Sequence, residues 1–416
     1  MTHALSLTAW SGTATDESSP RYRGWRVTLV CFVMATFCWG FGFYGHGFYL
    51  AELQRLHHWP AALISGASTA YYVFSAILVV FVNDVIARIG LRAFVLGGIA
   101  CLGGSAILLI VVTTPWQLFA AYLLMSFGWA AMSVGAITNI IGLWFEHKRG
   151  LAISIALTGA SFAGIAVVPP LVFLTGALGF ATAMLIATAV MLVVLVPLTL
   201  AWIEDAPAKH DQRHDNGPAS GSTRTWTRAR ALRDFGFWTA SAPFALALMA
   251  QVGFLVHQIA LLEPSLGRAQ AGVAVAVTTA MAIVGRLGAG TIIDRVDQRK
   301  ATAVSVGSQA AALLVMTQTT DPTWLIAACA VNGLSVGHLV TFPALIIQRE
   351  FEPQSFGLLI GLSTAISQFT YAFGPGVLGL LRDLTGSYTA SLALCVVLDV
   401  AAAVIILMKP SRRAAH

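Results

Sequence analysis

Residues 285–295, Gly-Arg-Leu-Gly-Ala-Gly-Thr-Ile-Ile-Asp-Arg, carry one arginine inside an apolar run that ends in an acid and a base. Arg286 lies eight residues before Asp294, which places it ~12 Å deeper if the run is helical. That depth is close to the middle of a hydrocarbon layer ~30 Å thick. Proteins keep a permanent cation there almost only beside a watery cavity, a protein partner or a charged substrate. Arg286 is therefore a candidate binding residue.

The composition places this run in a polytopic membrane protein. Of the 416 residues, 57% are hydrophobic and 10% are charged, whereas soluble domains carry about 25% charged residues. The five cysteines lie in apolar runs without CxxC spacing, so the sequence indicates neither a disulfide framework nor a metal site. No Walker sequence, metal cluster or catalytic serine context is present. We therefore expect no cofactor, no ATP-driven pumping and no enzymatic activity.

Twelve apolar runs are long enough to cross a bilayer as helices, and we number them helices 1 to 12 in chain order. The first six lie at about 25–49, 61–86, 93–113, 115–143, 150–174 and 178–202. The other six lie at about 235–262, 269–293, 301–319, 322–348, 356–381 and 388–408. The sequence thus predicts an all-α membrane protein built from two six-helix bundles.

Polar segments divide the chain into five predicted parts. Residues 1–20 are rich in Ser and Thr and lack the pattern of a cleaved signal, and residues 204–234 contain Pro, Gly and many charges. The predicted parts are an N-terminal tail at 1–24, a bundle at 25–203, a linker at 204–234, a bundle at 235–409 and a tail at 410–416.

The distribution of basic residues predicts the orientation. With both termini inside, the inner segments hold 20 of the 24 Lys and Arg residues, and the outer loops hold Arg55, Arg268 and Arg382. This asymmetry predicts cytosolic tails and linker and a plasma (bacterial inner) membrane location. Since this asymmetry also explains the net charge of +6, we expect no nucleic-acid partner.

The two halves repeat each other at nearly constant spacing. Arg88 recurs as Arg295, Arg92 as Arg299, Pro115 as Pro322, Phe145 as Phe351 and Pro169 as Pro375, at offsets of 207, 207, 207, 206 and 206. Internal duplication with a binding site between the halves is the architecture of many secondary transporters.

The segment after helix 8 resembles the loop signature G-x-x-x-D-R-x-G-R-[RK] of the major facilitator superfamily. Gly290, Asp294 and Arg295 match it, with one extra residue before Arg299 and with Asp297 near the place of the second glycine. The first-half copy keeps the basic residues, but Ala87 stands in the acid's place and Asp84 lies one turn earlier. The predicted conformational gate consists of Asp84, Arg88, Asp294, Arg295 and Arg299. The alternative is simple anchoring of these charges at the membrane surface.

Within the superfamily, the chain resembles the monocarboxylate porter and oxalate/formate antiporter branch. The landmarks are Gly24-Trp25, residues 144–152 and the Gly-Arg-x-x-x-Gly of residues 285–290. The resemblance implies that Arg286 holds a substrate carboxylate. It also exposes departures from the branch, because Tyr44 and Ala282 stand where animal members have a lysine and an aspartate. The helix 11 lysine of the oxalate exchangers has no counterpart, and a single buried cation favours a monoanion.

Other polar residues on presumed cavity helices complete the predicted site. Imidazole accepts a proton near neutral pH, so each histidine is either a proton carrier or a neutral ring bonded across a helix pair. The aromatic run of residues 39–44 either lines an apolar pocket or packs the helix. Asp399 in helix 12 is interpreted as protonated or structurally paired. The predicted substrate-binding residues are Arg286, Tyr44, His46, Asn139, His257, Gln258 and His338.

These observations predict a secondary active transporter of a small organic monocarboxylate, coupled to protons and working by alternating access. Its expected partners are the organic anion, protons and lipid, without an obligate protein partner. The sequence leaves three alternatives open: an anion exchanger, a uniporter of another organic solute, or a non-transporting receptor that retains the fold.

Overall fold

A computed structural model of the chain describes residues 17–19, 22–203, 226–292, 296–337, 339 and 342–408. Within these ranges the chain is almost entirely helical and contains no strand. Ten of the described helices are long and apolar enough to cross a membrane, and helices 9 and 10 complete the predicted order.

The first bundle contains helices 1 to 6. Their bounds are Arg23–His57, Ala61–Val80, Leu91–Val111, Pro115–Trp144, Arg149–Leu178 and Phe180–Trp202, and helix 2 is continued by Val82–Ile89. The second bundle contains helices 7 to 12. Their bounds are Phe235–Leu266, Arg268–Ile292, Gln298–Gln318, Pro322–Val336, Phe356–Thr385 and Thr389–Leu407, and helix 10 is continued by Phe342–Glu350. We call the end that carries His57 the outer end, and the end that carries Arg23 the inner end.

Local sequence signals set several helix boundaries. The carboxylates of Asp234, Asp297 and Asp321 accept backbone N–H groups at the starts of helices 7, 9 and 10, as N-caps do. Gly267 joins helices 7 and 8 with a φ of 75°, a left-handed value that glycine adopts without steric cost. Short connections of this kind keep successive helices antiparallel.

Helix 1 is longer than the predicted range of 25–49 and continues to His57. The helix stays in the protein interior as far as Leu53, because Leu50, Glu52 and Leu53 are buried, and it reaches the surface in its last turn. A π-helical turn at Gly40–Tyr44 interrupts the regular hydrogen bonding in the middle of the helix. The prediction ended the helix too early because it treated the polar residues after position 49 as a loop.

The two bundles meet through small residues near the outer end. A Cβ on Gly47 of helix 1 would lie 2.8 Å from the carbonyl oxygen of Leu255 in helix 7. Gly379 of helix 11 approaches Ser65 of helix 2 closely, and the Gly376 N–H donates to Thr69 Oγ1 at 3.1 Å. Small residues allow such close packing between membrane helices. At the inner end, Val134–Trp144 and Phe342–Glu350 make their extensive contacts within their own bundles.

The predicted duplication is visible in matching side-chain contacts. In the first bundle Arg92 Nε donates to the Ile203 carbonyl at the end of helix 6, at 2.7 Å. In the second bundle Arg299 Nη1 donates to the Ile406 carbonyl near the end of helix 12, at 2.9 Å. Both arginines therefore satisfy carbonyl groups that a helix terminus leaves without an internal partner.

Candidate functional site

Arg286 lies on helix 8, partly buried, against the chain that follows helix 10. Its Nε donates to the Gly337 carbonyl at 2.9 Å. A Cβ on Gly337 would lie 2.9 Å from the Arg286 backbone nitrogen, so only glycine allows this approach. Among the described residues, no carboxylate pairs with Arg286. The guanidinium thus keeps hydrogen-bonding capacity for an anion.

Tyr44 faces Arg286 from the other bundle. It closes the π-helical turn of helix 1, is 6% exposed, and its hydroxyl lies close enough to interact electrostatically with the guanidinium. π-Helical turns occur frequently at functional sites because they re-aim side chains within a helix. The structure therefore brings together two of the predicted site residues, one from each half of the chain.

An aromatic wall extends from Tyr44 along the first bundle. The Phe43 ring lies 5.1 Å from Tyr44, 6.3 Å from Tyr72 and 6.4 Å from Trp129, measured between ring centroids. Tyr72 in turn meets Tyr371 of helix 11 edge to face at 5.7 Å, across the bundle interface. The rings beside the cation are thus mostly apolar surface with hydroxyl groups at their edges.

His46 points to the opposite side of helix 1, into the first bundle. Its ring is fully buried, and Nδ1 lies 3.0 Å from Ser68 Oγ of helix 2. Its Nε2 has no hydrogen-bond partner among the described residues. His46 is therefore separate from the surface of helix 1 that carries Tyr44.

His257 and Gln258 lie inside the second bundle rather than beside Arg286. The Pro375 carbonyl can only accept, so His257 Nε2 donates to it, at 2.9 Å, and Nδ1 accepts from the Tyr388 hydroxyl at 3.2 Å. Gln258 Nε2 donates to Thr278 Oγ1 at 2.8 Å. These bonds connect helix 7 with helices 8 and 11 and with the residue before helix 12.

Asn139 is half-buried on the inner half of helix 4, and His338 lies outside the described residues. Of the predicted gate, Asp294 and Arg295 also lie outside the described residues. Asp84 and Arg88 are exposed on the segment that continues helix 2.

Arg299 is buried within the second bundle. Its Nε and Nη2 donate to the two carboxylate oxygens of Glu350, each at 2.7 Å, and its Nη1 also faces the Thr239 carbonyl at 3.4 Å. The side chain therefore connects helix 9 with helices 7, 10 and 12. In this conformation the partners of Arg299 all belong to its own bundle.

A second group of charges, which the sequence analysis did not select, joins the bundles at the outer end. Glu52 of helix 1 is 3% exposed and forms ion pairs with Arg55 and, across the interface, with Arg268 of helix 8. Asp383 of helix 11 accepts the backbone N–H groups of Ala61 and Ala62, at 3.2 and 2.7 Å, and so caps helix 2 from the other bundle. We call Glu52, Arg268 and Asp383 the outer lock.

The sequence contains part of the information that would identify the outer lock. Glu52 is an isolated acid in a chain with 10% charged residues, and Arg268 was counted only as an outer-loop charge. Their pairing joins residues 216 positions apart, and no local pattern predicts such a contact.

The family landmarks around Trp25 and Phe145 meet at the inner end. Their rings are 5.0 Å apart, and a Cβ on Gly24 would lie 2.8 Å from the Phe145 ring. The Glu17 carboxylate accepts backbone N–H groups of residues 146–148 at 2.7 to 3.0 Å. These bonds, first the one from Glu146, hold the pKa of Glu17 below its ordinary value. The landmarks thus build the contact between residues 17–25 and the start of helix 5.

Asp399 and Gln309 form a buried pair between helices 12 and 9. Gln309 Nε2 donates to both carboxyl oxygens, at 3.0 and 3.1 Å. This contact agrees with the interpretation of Asp399 as a structurally paired residue.

Known proteins resemble the chain in sequence and in fold. A family model described as Major Facilitator Superfamily matches residues 32–375 and 254–416. Uncharacterized MFS-type transporter YcxA of Bacillus subtilis (strain 168) is 24% identical over 392 residues, which cover 92% of this chain and 93% of that protein. Monocarboxylate transporter 11 of Mus musculus is 27% identical over 304 residues, which cover 66% of this chain and 62% of the mouse protein.

A crystal structure of a mutant of nucleoside transporter NupG has a TM-score of 0.71 and 16% identity, and the match covers 93% of this chain and 100% of that chain. At this identity the likeness concerns the fold alone. Together with the family match, it confirms the predicted all-α fold with two pseudo-symmetric six-helix bundles.

Proposed function

Because the chain belongs to the major facilitator superfamily, we propose that it is a secondary active transporter of a small organic monocarboxylate. The observation that carries this proposal is Arg286, a partly buried cation that faces Tyr44 of the other bundle and has no carboxylate partner among the described residues. Such a cation is retained inside a membrane protein when it binds an anion that comes and goes. The name of the mouse relative supports the same substrate class.

The geometry around Arg286 favours a monoanion with an apolar substituent. A guanidinium binds a carboxylate through two parallel hydrogen bonds, and Arg286 Nε is already directed to the Gly337 carbonyl, which leaves the terminal nitrogens for the substrate. Phe43, Tyr72 and Trp129 form the nearest aromatic surface beyond Tyr44. We propose that this surface receives the part of the substrate that carries no charge.

Alternating access follows from the distribution of contacts between the bundles. The outer lock and the glycine contacts hold the outer end together, whereas the inner halves of helices 4 and 10 pack within their own bundles. With both termini cytosolic, as the positive-inside asymmetry favours, this is an inward-facing conformation. Opening toward the outside requires Glu52 to separate from Arg268, as the bundles rock about the central site.

We propose the same topology for the whole chain: a cytosolic tail at 1–24, bundles at 25–203 and 235–409, a cytosolic linker at 204–234 and a cytosolic tail at 410–416. The membrane is the plasma (bacterial inner) membrane, and the exposed apolar side chains of the helices face lipid. Proton symport is the proposed coupling, since an anion that enters against the membrane potential needs a compensating charge.

A ligand screen of the purified protein in detergent tests the substrate class. We expect monocarboxylates to raise the apparent Tm, and the corresponding uncharged amides to leave it unchanged, because a ligand that binds only the folded state stabilises it. Uptake of each stabilising acid is then measured in proteoliposomes. A Tm increase with nucleosides or sugars, together with none for any monocarboxylate, would contradict the proposal.

A further inference from the structure

Five buried polar atoms without hydrogen-bond partners among the described residues belong to neighbouring side chains of helices 1, 2 and 4 in the first bundle. They are His46 Nε2 and the hydroxyl oxygens of Tyr49, Tyr71, Tyr72 and Tyr122. Each of these residues is at most 2% exposed. Buried polar groups in proteins are normally hydrogen-bonded, so a concentration of unpaired ones in one place points to a function. With Ser68, we call these residues the His46 cluster.

The two ring nitrogens of His46 differ in their contacts. Nδ1 lies 3.0 Å from Ser68 Oγ, and a hydroxyl group can donate to it or accept from it. Nε2 has no hydrogen-bond partner among the described residues. In the tautomer with the hydrogen on Nδ1, the lone pair of Nε2 is free to accept a proton.

The groups around the His46 ring suit a cation. Rings from three helices surround the imidazole, with centroids 4.6 Å away for Tyr71, 5.3 Å for Tyr72, 5.0 Å for Tyr122 and 6.2 Å for Tyr49. Aromatic faces attract a cation, and hydroxyl oxygens accept from it. The Tyr122 hydroxyl lies beside Ser68 without forming a hydrogen bond of good geometry.

No carboxylate takes part in the ring contacts or hydrogen bonds of His46 among the described residues. The titratable groups that face the ring are all tyrosines: Tyr49 of helix 1, Tyr71 and Tyr72 of helix 2, and Tyr122 of helix 4. Cys38 of helix 1 lies beside Tyr71. Among the described residues, the neighbours of the His46 ring are thus aromatic rings and hydroxyl groups rather than carboxylates.

Tyr72 connects the His46 cluster to the substrate site. Its ring stacks on His46 with an interplanar angle of 23° and meets Tyr371 of the second bundle at 5.7 Å. Phe43 contacts both Tyr72 and Tyr44, with ring centroids 6.3 and 5.1 Å away. Tyr44 in turn faces Arg286. Movement between the bundles therefore displaces a side chain that also stacks on the His46 ring.

We propose that His46 Nε2 binds the proton that travels with the organic anion, and that the tyrosines of the His46 cluster stabilise the resulting imidazolium. This inference rests on the proposed function. It distinguishes His46 from His257, whose two ring nitrogens are both engaged in hydrogen bonds. The proton reaches Nε2 when the bundle interface opens, and it leaves Nε2 before the interface closes over the ring again.

Proteoliposomes that contain the transporter and a monocarboxylate found by the Tm screen provide the test. For His46→Gln we expect at least a 10-fold loss of accumulation driven by a pH gradient, with substrate exchange at equal pH retained, because exchange requires no net proton release. His57→Gln, a histidine on the same helix outside the cluster, is the matched control and should accumulate substrate like the wild type.

Proton-driven accumulation by His46→Gln at the wild-type level would overturn the inference. If the wild-type protein itself exchanges substrate but shows no proton-driven accumulation, the inference is also overturned, and the monocarboxylate proposal stays intact. If the wild-type protein neither binds nor exchanges any monocarboxylate, the proposed function itself is contradicted. If His46→Gln does not fold, Ser68→Ala serves instead. We expect it to move the pH midpoint of exchange by about one unit, and an unchanged midpoint would contradict the proposal.

Discussion

The two bundles share a scaffold but differ in how they use charge at matching positions. Arg92 and Arg299, 207 residues apart, both bind the carbonyl group of a residue at or near a helix end, yet only Arg299 adds a bidentate pair with a carboxylate. Counting back by the same offset from Arg286 leads to Val79, an apolar residue of helix 2. Duplication preserved the inner-end arginine in both halves, whereas the second bundle alone has the cation deep in a helix.

This difference separates two tasks between the bundles. In the proposed mechanism, the second bundle supplies the positive charge for an anion, and the first supplies Tyr44, the aromatic wall and the His46 cluster. If a carboxylate and a proton bind as proposed, the two surfaces act together, and we expect each ligand to raise the affinity for the other.

The largest expected effect concerns Arg299 and Arg92, which differ in their contacts. Arg299→Ala leaves Glu350 and the nearby carbonyls without their donor, and we expect a loss of ~3–5 kcal/mol in unfolding free energy. Arg92→Ala removes one hydrogen bond to Ile203 and should cost only about 1 kcal/mol. Denaturant unfolding in one detergent measures both variants. Equal losses would mean that the carboxylate pair does not distinguish the two bundles.

Arg286→Ala tests the functional half of the comparison. We expect substrate binding to weaken by ~2–5 kcal/mol, roughly 30- to 5000-fold, because a charge-assisted bidentate contact is lost. Stability should stay near that of the wild type, since no described carboxylate is left unpaired. Titration of the substrate-induced Tm shift measures the loss, and Arg286→Lys should also bind poorly because a point charge lacks the planar fork.

Val79→Ala is the matched control for Arg286→Ala, because it truncates the corresponding residue of the first bundle without removing a charge. It should bind substrate like the wild type. Normal binding by Arg286→Ala would refute the assignment of the carboxylate to this residue.

A smaller effect is expected at the outer lock, which joins the bundles. Glu52→Gln breaks the ion pairs with Arg268 and Arg55, and we expect a shift of ~1–2 kcal/mol toward the outward-open state, roughly 5- to 30-fold. A cysteine introduced at Thr69 reports this shift through faster labelling by a membrane-impermeant thiol reagent. Glu263→Gln, a nearby acid outside the outer lock, is the control, and equal labelling of both variants would exclude a locking role for Glu52.

The sequence predicted those features that the membrane itself enforces. A bilayer requires long apolar helices, so the helix order followed from single stretches of chain. The role of Arg286 stays a prediction, made from the cost of a buried cation. The partners of Glu52 and Arg299 could not be predicted, because each lies on a distant helix. The π-helical turn before Tyr44 also escaped prediction, since Gly40–Tyr44 reads equally well as ordinary helix.

The smallest expected effect lies at the inner end of the first bundle, where Glu17 caps residues 146–148. Its pKa is depressed in the folded protein, first by the hydrogen bond from Glu146. The stabilisation is therefore fully present above the unfolded value of about 4.3 and is lost as pH falls through the folded value. Glu352, which the offset of 206 residues matches to Glu146, is an inner-end acid of the second bundle for which no such capping contact is found among the described residues.

We expect hydrogen exchange at the amides of residues 146–148 to be protected at neutral pH in the wild type, with protection factors that fall on acidification. Glu17→Gln should lack this protection at every pH, because a neutral amide oxygen accepts more weakly than a carboxylate. Glu352→Gln should behave like the wild type. Since the Glu17 side chain is exposed to water, the change should stay local and leave the unfolding midpoint almost unmoved. Unchanged protection in Glu17→Gln would mean that the backbone at the start of helix 5 is held by the ring contacts between Trp25 and Phe145 instead.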